Sequence, residues 1–437
     1  MSESRQRVLA YRNEGALPNT KAIDTPLGKV LAATIFAVCV FLMFHVNFRA
    51  EKDVDYIFGV LMSITLAYFL LKMLISFFYT PAKGEPGEHK VSVVVPCYNE
   101  NTYSVQVMIE SLLKQSYPVH EIIFVDDGSA DITTYQAVKK LAEENPKIRC
   151  HRFDKNKGKK EGQKWAFERA TGDIIMLTDS DSYISRHAVK EMLRQFRDEK
   201  VSSVVGHINA RNENDSFITR LQDILYQGAF RVGRGAQSVT GTVLVCSGAL
   251  SMHRREVVMD NLDFFMKEKR LGIAIKNGDD RCLTIAALKS GGKTKYQSTA
   301  TAVTDVPEDL TKFFKQQTRW ARSFFLYSMV SLKYAWKRPS FLFWLIGEGA
   351  MWALFTTSVI QSLTKVTNLT ATNWQMYAYY TICYLILASL NHGLYYIFRN
   401  PFRYFLAPLF ALAHMAIIFP VRLYALLTIW KDNWGTR

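Results

Sequence analysis

The stretch Asp173-Ile-Ile-Met-Leu-Thr-Asp-Ser-Asp-Ser182 decides how this chain is read. Asp173 to Leu177 is a short apolar run between Gly172 and polar residues, the pattern of a strand buried on both faces. In extended backbone, successive side chains alternate, which lets Asp179 and Asp181 point to one side. The space past a strand's carboxyl end is where α/β sheets hold ligands. Two carboxylates placed there repel each other unless a cation lies between them, and a hard divalent ion with oxygen ligands meets that need. An isolated Asp-x-Asp reads equally well as a solvated turn, but this one has company.

Upstream, Lys90-Val-Ser-Val-Val-Val-Pro96 predicts a buried strand leading into Cys97-Tyr-Asn-Glu100, and a helical pattern runs to Gln115. Glu121-Ile-Ile-Phe-Val-Asp126 predicts a second strand, ending in Asp127-Gly-Ser-Ala-Asp131. A helix through about Glu144, a strand within 147–153, the run Lys155-Asn-Lys-Gly-Lys159 and another helix then lead to the strand before Asp179. Such alternation predicts an α/β fold with a mostly parallel sheet and ligand loops at its carboxyl edge. Asp126/Asp127, Lys155–Lys159 and Asp179/Asp181 all fall on that edge. Each has a plainer reading: Asp127-Gly128 is a common turn dipeptide, Asp131 a helix cap, and the lysine run a solvated loop. Alternatively, Gly158 lets backbone approach a phosphate while lysines supply charge.

Further on, Val243–Ser251 reads as an apolar strand broken by a Ser-Gly turn. Gly278-Asp-Asp-Arg281 gives a second acidic pair, and Gln316-Gln-Thr-Arg-Trp320 lies in a polar-aromatic helix. A metal-bound leaving group plus a separate carboxylate that takes a proton from a hydroxyl is the equipment for glycosyl transfer. No Walker A, H-E-x-x-H or G-x-S-x-G pattern occurs, which disfavours ATPase, zincin and α/β-hydrolase chemistry.

The chain has 437 residues, 49% of them hydrophobic, and the apolar ones are concentrated in 27–48, 54–78, 341–363 and 374–398. At ~1.5 Å rise per residue, ~20 residues cross a bilayer, so each can span it. Arg5, Arg7, Arg12 and Lys21 place the 1–26 tail in the cytoplasm, and a second span close behind the first argues against a cleavable signal. The expected order is two spans within 27–79, a cytosolic domain at 84–305, interfacial amphipathic helices at 306–338, two spans within 341–398, interfacial or re-entrant pieces at 402–430, and a terminal 431–437 segment. Pro408 and Pro420 break a helical ladder, and Arg403, His414 and Arg422 are costly at bilayer depth, which disfavours a fifth span. The expectation is therefore a multi-pass plasma-membrane protein with both termini cytosolic.

The net charge of +15 suits anionic headgroups and anionic substrates; the basic residues form no aromatic-interleaved patch, so no nucleic-acid partner is expected. The six cysteines lack C-x-x-C spacing, which argues against zinc and disulfides.

These motifs, in this order, resemble those of the processive family 2 glycosyltransferases of GT-A fold, and most of all the hyaluronan synthases. The resemblance runs from about Tyr79 to the end and includes Gly206-His-Ile-Asn-Ala-Arg-Asn212, Cys246-Ser-Gly-Ala-Leu-Ser251 and Trp434-Gly-Thr-Arg437. It implies Asp127 at the uridine with Lys157 nearby, and Asp179 and Asp181 holding Mg²⁺ or Mn²⁺ and the diphosphate. Asp280 would be the general base, with Asp279 the less favoured choice. Cys246, Ser247 and Gly248 would line the acceptor site. Gln316, Arg319 and Trp320 would stand at the mouth of a polymer channel, the indole against the acceptor sugar and Arg319 facing the diphosphate. Trp434 and Arg437 would belong to a segment closing over the nucleotide. The implied partners are UDP-glucuronate, UDP-N-acetylglucosamine, the nascent polysaccharide and the bilayer, with a monomer sufficient. A single-donor synthase of N-acetylglucosamine oligomers or another capsular polymer, and a non-catalytic nucleotide-sugar-binding export subunit, are the alternatives. Ala249 stands where that family usually has proline, which leaves the rigidity of the acceptor loop open.

Overall fold

The apolar runs become strands because each is covered on both faces. The computed structural model describes residues 56–270, 272–275, 277–365, 371–399, 403 and 405–431, with isolated positions 30, 34, 37, 38 and 41. Val91–Cys97 (β1), Glu121–Asp126 (β2), Ile148–Arg152 (β3) and Ile174–Leu177 (β4) match the predicted strands, and β1, β2 and β4 are buried along their whole length. β1 lies parallel to β2 and β4, and β2 parallel to β3. The crossovers are helices Thr102–Leu113, Thr133–Glu144 and Lys159–Arg169. Val93, Val95, Ile122 and Phe124 pack with Met108, Ile109, Leu112 and Val138. The alternate residues Val94, Ile123, Val125, Ile175 and Leu177 pack with Ala166, Phe167, Leu283 and Tyr327 in a second core. A one-residue register slip would exchange the two sets, so the pairing is fixed by packing on both sides.

Tyr183–Ile184 (β5), Val201–Ala210 (β6), Ser251–Arg254 (β7), Lys269–Arg270 (β8), Ile273–Ala274 (β9) and Lys293–Thr304 (β10) complete the strands. Eight of them form one sheet in the order β3-β2-β1-β4-β7-β6-β10-β5, while β8 and β9 pair separately. β7 is antiparallel to β4 and β6, and β5 to β10, so the sheet is mixed where the sequence predicted mostly parallel strands. The reversal has a consequence for the site. Ser251 pairs with Leu177, so the segment entering β7 arrives at the carboxyl end of β4.

That segment corrects another expectation. Only Ser251 onward is strand; 243–250 is a loop. Much of its hydrogen bonding goes to side chains, Leu244 N to Gln237 Oε1 at 3.1 Å and Cys246 N to Thr284 Oγ1 at 2.9 Å, so the apolar run signals burial without a continuous ladder.

Helices Tyr56–Ser76, Pro339–Lys365 and Ala371–Arg399 pack together through Leu66, Leu70, Phe355, Tyr384 and Leu387. Lys72 and Glu348 form an ion pair of 2.5 Å between two of them. Among the described residues, Gly59–Ser76 and Ala407–Leu427 are long and apolar enough to cross a membrane. Most of the expected span at 27–48 lies outside the described residues. In 407–427 the helical path is continuous, with a π-helical turn at His414–Ile418 and Pro420 in the first turn of Phe419–Leu427. Instead of being divided at the prolines as the sequence suggested, the path takes its π-helical turn directly before Pro420, where the missing N–H interrupts the regular i→i−4 ladder.

Asn212, buried just beyond β6, binds Val306 both ways: Nδ2 donates to its carbonyl and Oδ1 accepts from its N–H, each at 2.9 Å. Asn212→Ala leaves two buried backbone groups unpaired, which costs about 1–3 kcal/mol each and lowers the thermal unfolding midpoint of the purified protein.

Candidate active site

The carboxyl edge of the sheet is held in shape by its own acids. Asp126 accepts from Arg152 Nε at 2.8 Å and from the Ser129 hydroxyl at 2.5 Å. Asp127 binds the neighbouring loop: its two oxygens accept from Lys157 N at 2.7 Å and Gly158 N at 2.9 Å. Burial raises the Asp127 carboxyl above its ordinary value, against the pull of those two N–H groups. Gly128 has φ +70°, and a Cβ there would lie 2.4 Å from the Lys155 carbonyl carbon, so the Asp-Gly turn is required for the loops to approach. The turn reading of Asp127-Gly128 is thus the one observed, with the Asp127 carboxylate holding the 157–158 backbone. Lys157 sends its ammonium over the Phe153 ring, 4.3 Å from the centroid.

Residues 179–182 form a turn, with Ser182 N donating to Asp179 O at 3.2 Å, rather than the extended segment predicted. The outcome is similar: Asp179 and Asp181 are half-buried while Ser180 and Ser182 are buried. Lys159, first residue of its helix, donates to Asp179 Oδ1 at 2.9 Å and lies 3.4 Å from Asp279 Oδ2. One ammonium thus joins the two acidic motifs. Burial would lower its pKa, but Asp179 and Asp279 outweigh that and hold it above the ordinary lysine value. Its neighbour Lys160 is structural, buried and donating to Phe265 O, Ile275 O and Tyr327 Oη at 3.1, 2.9 and 3.2 Å.

Asp279 and Asp280 open the helix Asp279–Lys289 behind Gly278, whose φ is +82°. Their surroundings drive them apart. Burial would raise Asp279, but Lys159 and the Gln163 amide, donating at 2.7 Å, hold it below the usual range. Asp280 is pushed up, by burial first and by the Asp279 charge second. A carboxylate poised above its ordinary value beside a cleft is the profile of a general base.

The 243–250 loop closes one wall. Gly248 lies against the bridge, a built Cβ falling 3.5 Å from Lys159 Nζ and 3.8 Å from Asp279 Oδ2. Arg234 donates to Ser247 Oγ at 2.7 Å and Val245 O at 3.1 Å, and stacks on Phe230 at 3.8 Å. Cys246 is buried, which pushes its thiol up to about 12 and leaves it unreactive. Thr178 Oγ1 donates to Ala249 O at 3.2 Å, so this loop is pinned without the proline.

Gln316, Arg319 and Trp320 share one face of the helix Leu310–Ala335 by their spacing. Trp320 is 37% exposed, and its ring lies 6.3 Å from that of Tyr226. Burial raises the Tyr226 phenol above its ordinary value, and the charges of Arg234, Asp179, Asp181 and Arg319 all reach it. Trp320 and the first acidic motif therefore lie in the neighbourhood of the same tyrosine. Trp434 and Arg437 lie outside the described residues.

Sequence reasoning singled out Lys157 rather than Lys159, and passed over Gln163, Tyr226 and Arg234. Lys159 was visible in the basic run; the other three carry no local signal, because tertiary packing alone brings them to the cleft. Asp179 and Asp181 supply two carboxylates on one turn, a donor set that suits a divalent ion completed by phosphate oxygens. Among the described residues, no group of three or more His, Cys, Asp or Glu could hold a metal unaided.

A mixed sheet with acids at its carboxyl edge is the scaffold of a nucleotide-sugar transferase, and the comparisons agree. Residues 92–262 match the family described as Glycosyl transferase family 2. A mannosyltransferase from Pyrobaculum calidifontis, solved in complex with GDP-Man and Mn²⁺, shares the GT-A-like fold with a TM-score of 0.57 at 19% identity, over 82% of this chain and 99% of that one. The hyaluronan synthase of Streptococcus pyogenes serotype M1 is 38% identical over 93% of this chain and 96% of its own length, and that of serotype M3 40% identical over 87% and 90%. An N-acetylglucosaminyltransferase of Sinorhizobium fredii is 30% identical over 82% of this chain and 86% of its own. The chain is a glycosyltransferase of GT-A-like fold. Within that class it belongs to the hyaluronan synthase family.

Gly278 joins the acidic pair to the Trp320 helix, since a built Cβ falls 2.2 Å from Ser323 Oγ and 2.8 Å from the Tyr327 ring. Gly278→Ala must push the two apart. With displacements of about 1 Å costing on the order of 10²-fold, turnover at saturating donor is expected to fall at least tenfold while the protein remains folded. UDP release at the unsubstituted rate would contradict this placement.

Proposed function

We propose that this protein polymerises hyaluronan, adding glucuronate and N-acetylglucosamine alternately from their UDP donors with inversion at each anomeric carbon. The observation that supports the reading is the Lys159 bridge, which brings Asp179 and Asp279, from the two acidic motifs, to one ammonium. Asp280 takes the proton from the attacking hydroxyl of the acceptor sugar. The new bond forms between that oxygen and the donor's anomeric carbon as the bond to the diphosphate breaks and UDP leaves. Mg²⁺ or Mn²⁺ held by Asp179 and Asp181 would offset the charge gathering on that leaving group; a protein of like fold holding Mn²⁺ supports the choice of ion. Lys159, fixed by two carboxylates, and Arg319 add positive charge on the same side.

Trp320 offers an apolar face to the acceptor ring, supported by Tyr226 beneath it. Arg234 and Thr178 hold Cys246, Ser247 and Gly248 as the wall behind that ring. Asp127 sets Lys157 and Gly158 beside the uridine. The product leaves through the protein's own helices into and across the plasma membrane, with catalytic domain and termini cytosolic and Trp434 and Arg437 closing over the nucleotide. Greater identity to the hyaluronan synthases than to the N-acetylglucosaminyltransferase favours the two-donor polymer over a single-donor one.

Purified protein given both UDP-sugars should release UDP and make a polymer that hyaluronidase degrades and chitinase does not; product from UDP-N-acetylglucosamine alone, degraded by chitinase, would overturn the assignment. Chelation should abolish turnover and Mn²⁺ or Mg²⁺ restore it. The pH profile carries the sign of the Asp280 shift. The base works only when deprotonated and its pKa is raised, so UDP release should decline, as pH falls, at a pH above the ~3.9 of an ordinary aspartate. An acid limb at or below that value would remove Asp280 from the role.

A further inference from the structure

The helix Phe217–Gln227 carries Tyr226, whose ring lies 6.3 Å from that of Trp320, and, three residues earlier on the same face, Asp223, which is 1% exposed. Asp223 Oδ2 accepts from the Tyr396 hydroxyl on the helix Ala371–Arg399 and from Arg403 Nη1 at 3.0 Å. The same Arg403 nitrogen lies 2.9 Å from Glu213 Oε2, and Nη2 donates to Asn214 Oδ1 at 2.5 Å. Gln227 donates to Asp223 Oδ1 at 3.4 Å. Burial and the charge of Asp223 push the Glu213 carboxyl up to about 7, as expected where two acids share one guanidinium.

This polar knot sits at a joint that is otherwise apolar. Ile218, Leu221 and Leu225 of the same helix meet Leu310 and Phe313 of the Trp320 helix and Phe410, Ile417 and Ile418 of the C-terminal segment, around a cavity of about 30 Å³. Hydrophobic contact is non-directional, and an underfilled apolar joint does not fix how far one helix has slid along another. Hydrogen-bonded charges do, because displacement leaves a buried carboxylate or guanidinium unpaired. The C-terminal segment also braces the Trp320 helix from outside, through Phe314 against Tyr424 at 5.7 Å and Arg322 to Thr428 at 2.7 Å.

We propose that Asp223, Tyr396 and Arg403 form a clamp that positions Tyr226 beneath Trp320, and that this positioning sets how firmly the enzyme retains the growing polymer between additions. They are positioning residues and act through Tyr226, apart from donor binding and proton transfer. The inference rests on the proposed polymerising function and on Trp320 as the acceptor platform.

The test uses the full-length protein in lipid nanodiscs, with Tyr396→Phe and Asp223→Asn, which keep side-chain shape. Initial UDP release, the KM for each donor, and product length are measured. Contacting residues couple strongly enough that product length should shorten about threefold to tenfold, while initial UDP release and both KM values stay within about twofold. In a Tyr226→Leu background, Tyr396→Phe should cause no further shortening. Unchanged product length would overturn the proposal. So would equal additional shortening in the Tyr226→Leu background, or a joint fall of rate, length and thermal midpoint, either of which marks a merely structural contact. Failure of the unsubstituted protein to make any polymer would overturn the functional reading itself and this inference with it.

Discussion

Four carboxylates crowd one sheet edge and helix start, and the arrangement depends on Lys159 standing between two of them. Asp179 comes from the turn after β4 and Asp279 from a helix about a hundred residues later. Without a cation their approach would be opposed by their own charge and by the loss of water around each. The shared ammonium, at 2.9 and 3.4 Å, makes the juxtaposition stable, and Gly248 lies alongside it. The two acids that follow, Asp181 and Asp280, stand two residues and one residue beyond the bridged pair. Asp279 and Asp280 are thereby given different electrostatic settings, the first held below and the second pushed above the usual range.

The fold serves this contact through one reversal of direction. Had β7 run parallel to β4, its preceding loop would have emerged at the opposite edge of the sheet. Antiparallel pairing of Ser251 with Leu177 delivers residues 243–250 to the reaction edge instead. Among the contacts that set the Trp320 helix are Gly278 pressed against Ser323 and Tyr327, and the Tyr226 ring 6.3 Å from the indole. The helix carrying Trp320 and the start of the helix carrying Asp279 and Asp280 are thus mechanically linked through Gly278.

Much of this was legible in the sequence because it is local. Buried strands announce themselves as unbroken apolar runs, so β1, β2 and β4 were evident, and acids just past them were found by position. What was lost is non-local. Nothing near Lys159 distinguishes it from Lys157, and only the fold shows which of them reaches Asp179. The run at 243–250 is as apolar as a strand, yet side-chain partners such as Gln237 and Thr284 take its hydrogen bonds. Pro420 looked like a breaker because a regular helix interior holds it poorly, but a π-helical turn directly before it lets the helical path continue. The family resemblance supplied what local pattern could not, a proposed division of labour between Asp279 and Asp280, whose pKa values the fold shifts in opposite directions.

The central claim is that binding and proton transfer are carried by different acids of one cleft, and Asp280→Asn tests it most directly. That substitution keeps shape and removes only the proton acceptor. UDP-sugar affinity measured by calorimetry should stay near that of the unsubstituted protein, while turnover falls by about 10²–10⁴-fold. Parallel loss of affinity and turnover, or near-normal turnover, would contradict the account.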